Sequence, residues 1–348
     1  MKSKITLHLA TLFIVASIMS SLAQEFKSPV EYLTYISKEQ ENISNSMWKY
    51  TVAVAHSKSA RRIESTRKNL IKSIQLSSKK IGGLAAGYKG DVEYRNQMLD
   101  YMSISEKNIN EEYNKIIDMQ DVAEQSYDYM EAFIMARDLV NKKIEAENEK
   151  VNLAQKLFAQ KYKITLTQTS NLLGEKMKLS GEVFKYHTEL YLIFFKVNIT
   201  DLLLSNAIAK KDIGAIQQQS SALTAYANEG LEKIKLIQKF KNDGSIVETT
   251  KKVLDHYKKQ AAEFVPNIVS FYMFTDKFEN IKKSLESKSQ ANRTKEEIEK
   301  YNSMVKQANK EIDNFNNLNT KNFAEKQSIV NNWQSSSEQF ISRHVPLN

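Results

Sequence analysis

Histidine is the first residue type to consider, because an imidazole can bind a metal ion, transfer a proton or contact an anion. The chain has five histidines. A di-iron site in a helical bundle needs Glu-x-x-His on two of its helices. No histidine here has Glu or Asp three positions earlier, and there is no His-x-x-x-His pair. The chain also has no cysteine, which excludes the zinc and haem signatures that use it. The sequence therefore predicts neither a metal site nor another cofactor.

Motifs for nucleophilic catalysis or phosphate binding are missing too. The chain contains no Gly-x-Ser-x-Gly, no P-loop and no Gly-x-Gly-x-x-Gly pattern. Its one glycine cluster, Gly82, Gly83, Gly87 and Gly90, follows no predicted strand and is better interpreted as a turn. We therefore predict a protein that is not an enzyme. An enzyme of unrecognised type, using Tyr, His and carboxylates from facing helices, stays an alternative.

A basic group near the end of the first predicted helix is the one candidate site. His56, Arg61 and Arg62 lie within seven positions of each other and together predict an anion-binding corner. The alternative is a helix surface with ordinary basic residues. His187 and His256 lie among Lys and Tyr residues, so we expect them to face solvent or a helix contact.

Aromatic residues are frequent, with 16 Tyr and 15 Phe in the chain. Tyrosine buries a ring and keeps a polar tip, so it suits helix interfaces and binding surfaces alike. The spacing of the tyrosines in the first half predicts that most of them belong to the core or its edge, and the pattern does not single out those on a binding face.

The N-terminal residues predict export from the cytoplasm. Lys2 and Lys4 precede an apolar stretch over 5–19, and Ser21-Leu22-Ala23 then places small residues at −3 and −1. This pattern predicts a signal peptide over 1–23, with cleavage after Ala23. A lipoprotein needs a cysteine at the cleavage site, so we do not expect one. The predicted location is the periplasm, the cell surface or the medium.

Composition predicts an all-α fold. Nine Gly and three Pro in 348 residues are too few for the turns of a β-rich protein. The 50 basic residues slightly outnumber the 41 acidic ones and give a formal charge of +9. This excess is compatible with an anionic envelope polymer or with lipid head groups, although a solvated Lys- and Glu-rich surface explains it as well. We expect no nucleic-acid partner.

Apolar residues recur with the period of an α-helix at both ends of the mature chain. The first stripe is preceded by Ser28-Pro29, which suits an N-cap followed by proline at the first helical position. The second follows Thr294 and Glu297, which predict a capping box. The stripes are Tyr32, Ile36, Ile43, Met47, Tyr50 and Val54, with Glu39 filling the gap, and Ile298, Tyr301, Val305, Ala308, Ile312 and Phe315.

Breaks between helices are expected at the glycine cluster, at 242–245 and in the polar segment 287–293. Pro266 lies within an apolar helical run and should kink or restart the helix. The most apolar stretch, 183–204, predicts a central helix buried on most faces. A transmembrane role is not expected, because charged residues flank and interrupt this stretch.

Two short matches suggest an internal duplication. At an offset of 155 residues, Val92, Met98 and Leu99 fall on Val247, Val253 and Leu254. At an offset of 154, Val151 and Ala154 fall on Val305 and Ala308. We therefore predict two tandem bundles of about four helices each, over 24–165 and 166–348.

Taken together, the signal sequence ending Ser21-Leu22-Ala23, the cysteine-free mature chain and the repeated Val-Glu…Leu-Asp helix resemble uncharacterised families of secreted, all-helical bacterial surface proteins. The resemblance implies a binding or scaffold role, with an unknown envelope protein or an anionic envelope polymer as partner, and it brings no catalytic residues. The alternative is a membrane-active or lipid-binding bundle that associates with a membrane through the 183–204 helix.

Overall fold

The computed structural model describes residues 26–112, 123–167 and 172–347. The predicted signal peptide over 1–23 lies outside these residues. Within them the chain is all-α, as predicted, and its only β-type pairings are two isolated bridges, Tyr88 with Asp91 and Phe240 with Asp243.

The helices follow one another through short connections. They are α1 (Pro29–His56), α2 (Ala60–Gly82), α3 (Glu93–Lys107), α4 (Tyr127–Lys161), α5 (Leu172–Ala209), α6 (Ile213–Leu236), α7 (Ser245–Lys259), α8 (Val265–Glu286) and α9 (Lys295–His344). One turn of π-helix follows α3 (Asn108–Glu112) and another follows α7 (Gln260–Phe264).

The predicted start signals are confirmed. Ser28 caps α1 by accepting a hydrogen bond from the Glu31 backbone N–H, with Pro29 in the first turn. Thr294 and Glu297 form the predicted capping box of α9. Pro266 restarts the helix after a π-helical turn, because that turn absorbs the backbone N–H that proline lacks. Segment 287–293 contains a short 3-10 turn, Gln290–Asn292.

Most core residues fall into two clusters that occupy different parts of the chain. One cluster is built from α1 to α4, and the other from α5 to α9. A small third cluster joins them, because Met130 and Ile134 of α4 pack against Phe195 and Ile199 of α5. The fully buried side chains with the largest volumes include Tyr32, Tyr94, Met98 and Met102 in the first cluster, and Leu190, Leu204, Tyr257 and Phe340 in the second.

Helix α5 contains the apolar stretch 183–204 and lies at the centre of the molecule. It packs against α6, α7 and α9, and also against α1 and α4. Among the described residues it is the one helix long and apolar enough to cross a membrane, judged by length and composition alone, and half of its most apolar window is buried. A helix covered from several sides can be hydrophobic on most of its faces.

The two parts of the chain share a closing arrangement of aromatic rings. Five ring contacts recur, with centroids 4.6–6.1 Å apart in the first part and 4.8–5.6 Å in the second. The rings belong to the first helix of each part, the bridge turn and the end of the last helix. They are Tyr32, Tyr88, Phe158 and Tyr162 in the first part, and Tyr186, Phe240, Phe340 and His344 in the second.

An aspartate in each bridge turn ties the start of one helix to the end of another. Asp91 accepts from the Glu93 backbone N–H at 3.3 Å and from Lys161 Nζ at 2.8 Å. Asp243 accepts from the Ser245 backbone N–H at 2.9 Å, and its other oxygen contacts Arg343 and His344. Burial alone would raise the pKa of both carboxyls, but these hydrogen bonds outweigh it and hold both pKa values below the usual range.

The predicted offset of 155 residues is wrong by three. Tyr88 and Phe240 of the bridge turns are 152 residues apart, as are the first residues of α3 and α7 and of the two π-helical turns. Val92 is the N-cap of α3, whereas Val247 already lies inside α7. Leu99 is half-buried and Leu254 fully buried. A slip of three residues is nearly one helical turn, so the apolar stripes matched in the wrong register.

The pairing of Val151 and Ala154 with Val305 and Ala308 is also wrong. The ring contacts place Phe158 on Phe340, which is 182 residues further along. At that offset Val151 corresponds to Trp333, and both are buried. The second part is longer between its π-helical turn and its last helix, because α8 and the first half of α9 form an extended helical hairpin there.

Gly230 of α6 provides a test of this packing. A Cβ at position 230 would lie 2.9 Å from Leu254 Cδ2 and 3.0 Å from Ile193 Cγ2, in a fully packed part of the core. Gly230→Ala should therefore destabilise the protein by about 1–2 kcal/mol, because overpacking outweighs the gain in helix propensity. Gly181→Ala on exposed α5 surface, where a Cβ meets nothing within 4 Å, should stabilise it by roughly 0.5–1 kcal/mol.

Denaturant unfolding followed by circular dichroism measures both changes. Equal effects of the two substitutions would contradict the close approach of α6 to α5 and α7.

Candidate functional site

Two adjoining cavities form a groove along the exposed side of α5. Their volumes are about 420 and 300 Å³, and both are lined by Glu189 and Leu236. Cavities of this size fall at the lower end of the range that holds small ligands or side chains. We call the two cavities together the α5 groove. The smaller one lies between α4, α5 and α6, and the larger one between α5 and the bridge turn after α6.

Lys196 lies at the centre of the smaller cavity. Its Nζ is 2.8 Å from Glu229 Oε2, and it lies over two aromatic rings, 4.4 Å from the Tyr226 centroid and 4.8 Å from that of Tyr127. Only 18% of the side chain is exposed. The three helices α4, α5 and α6 each supply one wall of this cage, so Lys196 connects the first part of the chain to the second.

The charges around Lys196 are paired. Hydrogen bonds from Lys196 and Lys233 hold the pKa of Glu229 below its usual range, and they outweigh its partial burial. The Tyr127 hydroxyl donates to Glu131 Oε1 at 3.1 Å. Burial, followed by the nearby carboxylate of Glu131, raises the pKa of Tyr127 to about 12, so its hydroxyl stays a hydrogen-bond donor at neutral pH.

The apolar wall of the groove comes from the faces of α5 and α6 that do not point into the core. Leu192 and Ile193 line the smaller cavity, and Leu236 stands between the two cavities with 81% of its surface exposed. Leu236 is the last residue of α6, where the chain leaves the helix and turns toward Phe240. An exposed leucine between two hollows is a typical contact residue for a binding partner.

Chemically, the α5 groove combines an apolar wall, two tyrosine rings and side chains of both charges. Its carboxylates are Glu131, Glu182, Glu189 and Glu229, and its lysines are Lys196, Lys233, Lys239 and Lys241. The central lysine is held in an ion pair and a ring cage rather than aimed at the open space. This arrangement suits recognition of a segment that carries both apolar and charged groups.

The predicted anion-binding corner is spread over different surroundings. His56 ends α1 and points toward the end of α9, where its Nε2 lies 3.0 Å from the Val345 carbonyl and its Nδ1 3.3 Å from Ser342 Oγ. Arg61 and Arg62 are exposed in the first turn of α2. The imidazole therefore joins the first part of the chain to the last helix, and only the two arginines face solvent.

A buried polar cluster lies on the opposite side of α5 from solvent. The Asp201 carboxylate accepts from Gln260 in the π-helical turn and from Lys326 Nζ of α9, at 2.6 Å for the lysine. His256 is nearly fully buried beside it, and burial lowers its pKa. The expectation that His256 faces solvent or a helix contact holds for the helix contact. Within the described part of the chain, no group of three or more His, Asp or Glu side chains has the geometry of a metal site.

Sequence reasoning missed the α5 groove. Tyr127 was expected at the core or its edge, and Tyr226, Lys196 and Glu229 carried no motif. The signal that was present is a lysine within the apolar stretch 183–204, because a charge inside such a stretch needs a partner from another helix.

Comparison with known proteins gave no relative of this chain: no family model, no curated protein and no solved structure matches it.

Replacement of Lys196 tests the cage. Lys196→Met should destabilise the protein by about 1–2 kcal/mol at neutral pH, because an ion pair and two cation–ring contacts are lost. The folded-state pKa of Glu229 is depressed, so the stabilisation from its ion pair is present above the unfolded-state pKa and is lost as pH falls through the folded-state pKa. The difference between variant and wild type should therefore shrink below about pH 4.

The matched control is Lys235→Met, which breaks an exposed pair with Glu232 and should change the free energy of unfolding by less than about 0.5 kcal/mol. A Lys196→Met variant as stable as wild type at neutral pH would contradict the cage.

Proposed function

We propose that this chain is a non-enzymatic binding or scaffold protein, exported to the bacterial periplasm or cell surface. The observation that carries the proposal is the α5 groove, which offers an apolar wall, tyrosine rings and paired charges at the junction of the two parts of the molecule. The N-terminal pattern over 1–23 supports export.

The groove favours a protein segment over an anionic polymer as the partner. Glu131, Glu189 and Glu182 line it, and three carboxylates would repel a polyanion. The adjoining leucines and tyrosines suit the apolar side chains of an envelope protein, since tyrosine and other aromatic residues are enriched at protein interfaces. The basic excess of the chain lies elsewhere on the surface, for example at Arg61 and Arg62.

A duplicated architecture is part of this proposal. It is supported by the matching ring contacts, the two aspartate bridge turns and the two π-helical turns, all in the same order along the chain. A further contact repeats as well, since Arg67 of α2 donates to the Ile109 carbonyl and Ser220 of α6 to the Ala261 carbonyl. The two units would correspond to the bundles over 24–165 and 166–348, with the binding groove where they meet.

The absence of a reaction centre in the proposal follows from how the polar groups are used. In the α5 groove, Lys196 and Lys233 both pair with Glu229, and the Tyr127 hydroxyl is engaged with Glu131. Groups committed to one another in this way hold helices together and shape a surface. A general base or nucleophile would instead face the open space of the cavity.

Membrane association is the second candidate, and the apolar length of α5 favours it. Insertion of α5 into lipid would expose the second core cluster, in which Leu190, Val197 and Leu204 are fully buried. That cost makes the binding role the better-supported function of this helix.

Site-directed photo-crosslinking tests the binding role. A photoreactive phenylalanine analogue in place of Leu236 should give adducts with one envelope protein when the full chain is expressed in its source cells, because this residue stands between both cavities. The matched control is the same analogue in place of Leu76, an exposed leucine of α2 far from the groove.

A second variant makes the test specific to the α5 groove. Glu189→Lys reverses a surface charge shared by both cavities and should weaken the adducts at position 236 several-fold. Equal adducts at positions 236 and 76, or adducts that Glu189→Lys leaves unchanged, would contradict the proposed function.

A further inference from the structure

Helix α4 carries an apolar stripe on the side that faces away from the protein. Met135, Leu139, Leu153 and Leu157 are exposed by 66, 56, 57 and 46%, and exposed Ala146 lies midway between them. At 100° per residue these five positions fall within about 40° of one another around the helix. The buried face of the same helix, with Val151, Ala154 and Phe158, points in the opposite direction.

The second part of the molecule shows that the architecture does not require this stripe. Helix α9 ends in the same arrangement as α4, with Phe340 in the place of Phe158. Its residues at the positions that correspond to the stripe are also exposed, but none is a large apolar residue. They are Asn317, Lys321, Ser328, Ser335 and Gln339. The apolar stripe is therefore a property of α4 alone among this pair.

The stripe is palindromic. Leu139 and Leu153 lie seven residues on either side of Ala146, and Met135 and Leu157 lie eleven residues on either side. Two copies of α4 placed antiparallel about Ala146 therefore bring Leu139 against Leu153 and Met135 against Leu157, each contact occurring twice. We propose that this stripe is the contact surface between two copies of this chain, paired antiparallel through α4.

Charges along one edge of the stripe are complementary in that arrangement. On this edge the antiparallel pairing places Lys142 of one copy near Glu149 of the other, and Asp138 near Lys156. All four side chains are exposed. Within the described residues, Lys142 and Glu149 have no ion pair, whereas Lys150 on the other edge is neutralised by Glu147 at 2.6 Å. A parallel pair would set Lys142 against Lys142 and Glu149 against Glu149.

The length of the stripe sets the strength of the contact. From Met135 to Leu157 it spans roughly 33 Å, at about 1.5 Å per residue. One helix pair of this length, with alanine at the centre, belongs to the smaller class of protein interfaces. We therefore expect a reversible dimer with a dissociation constant on the order of micromolar.

Sedimentation of the full chain over a range of concentrations tests the surface. Wild type should shift from monomer to dimer, and Leu139→Gln with Leu153→Gln should stay monomeric. The control, Leu76→Gln with Met273→Gln, replaces exposed apolar residues elsewhere and should dimerise like wild type. Circular dichroism verifies that each variant is folded. A wild type that stays monomeric up to hundreds of micromolar, or a dimer that the α4 substitutions leave intact, overturns the proposal.

Charge reversal tests the orientation. Lys142→Glu or Glu149→Lys alone should weaken the dimer several-fold, because each sets like charges together, and the combined variant should recover wild-type affinity. In a parallel pair the single reversals would keep like charges facing each other and gain or lose little. Single reversals without effect, or a combined variant no tighter than either, overturn the antiparallel pairing.

The absence of cysteine from the chain permits a direct geometric test. Under mild oxidation Ala146→Cys should form a disulfide with its own counterpart, because position 146 lies on the twofold axis. Leu139→Cys should crosslink to Leu153→Cys when the two variants are mixed, and much less to itself. Efficient self-crosslinking of Leu139→Cys would indicate a parallel pair and overturn the proposal.

Discussion

The burial of α5 is the constraint on which the rest of the structure depends. Its stretch over 183–204 is too apolar to face water, and no single neighbouring helix can cover it. Helices α6, α7 and α9 bury Leu190, Val197 and Leu204, while Met130 and Ile134 of α4 cover Phe195 and Ile199. The first part of the chain is therefore attached to the second by the same effect that forms the core, since burying apolar surface is the dominant favourable term in folding.

Covering α5 from several sides leaves one strip where three helices meet without closing. Lys196 emerges there, and its charge is met by Glu229 and by the rings of Tyr127 and Tyr226. A lysine with its stem along apolar surface and its head in an ion pair can border a core without an unpaired charge. The α5 groove thus follows from the way the helices pack, and the same packing gives it the mixed chemistry that we assign to partner recognition.

Local signals in the sequence predicted the helices well, because caps and breaks depend on a few neighbouring residues. Ser28-Pro29 and the Thr294–Glu297 capping box behave as their types dictate. Long-range register was not predictable in the same way. A shift of three residues keeps an apolar stripe on one face, so Leu99 matched Leu254 although Met102 is the corresponding residue. The groove was also out of reach, since Tyr127, Lys196 and Tyr226 meet only after three helices have packed.

Hydrogen exchange measured residue by residue on the full chain tests the central role of α5 most directly. If α5 is the helix on which both parts close, its backbone amides over 190–207 should exchange more slowly than those of any other helix, and only through global unfolding. The outer half of α4, over 135–150, should exchange much faster in the monomer. Exchange of α5 at rates similar to those of α4 would contradict the account, because a helix that opens locally cannot be the shared core of both parts.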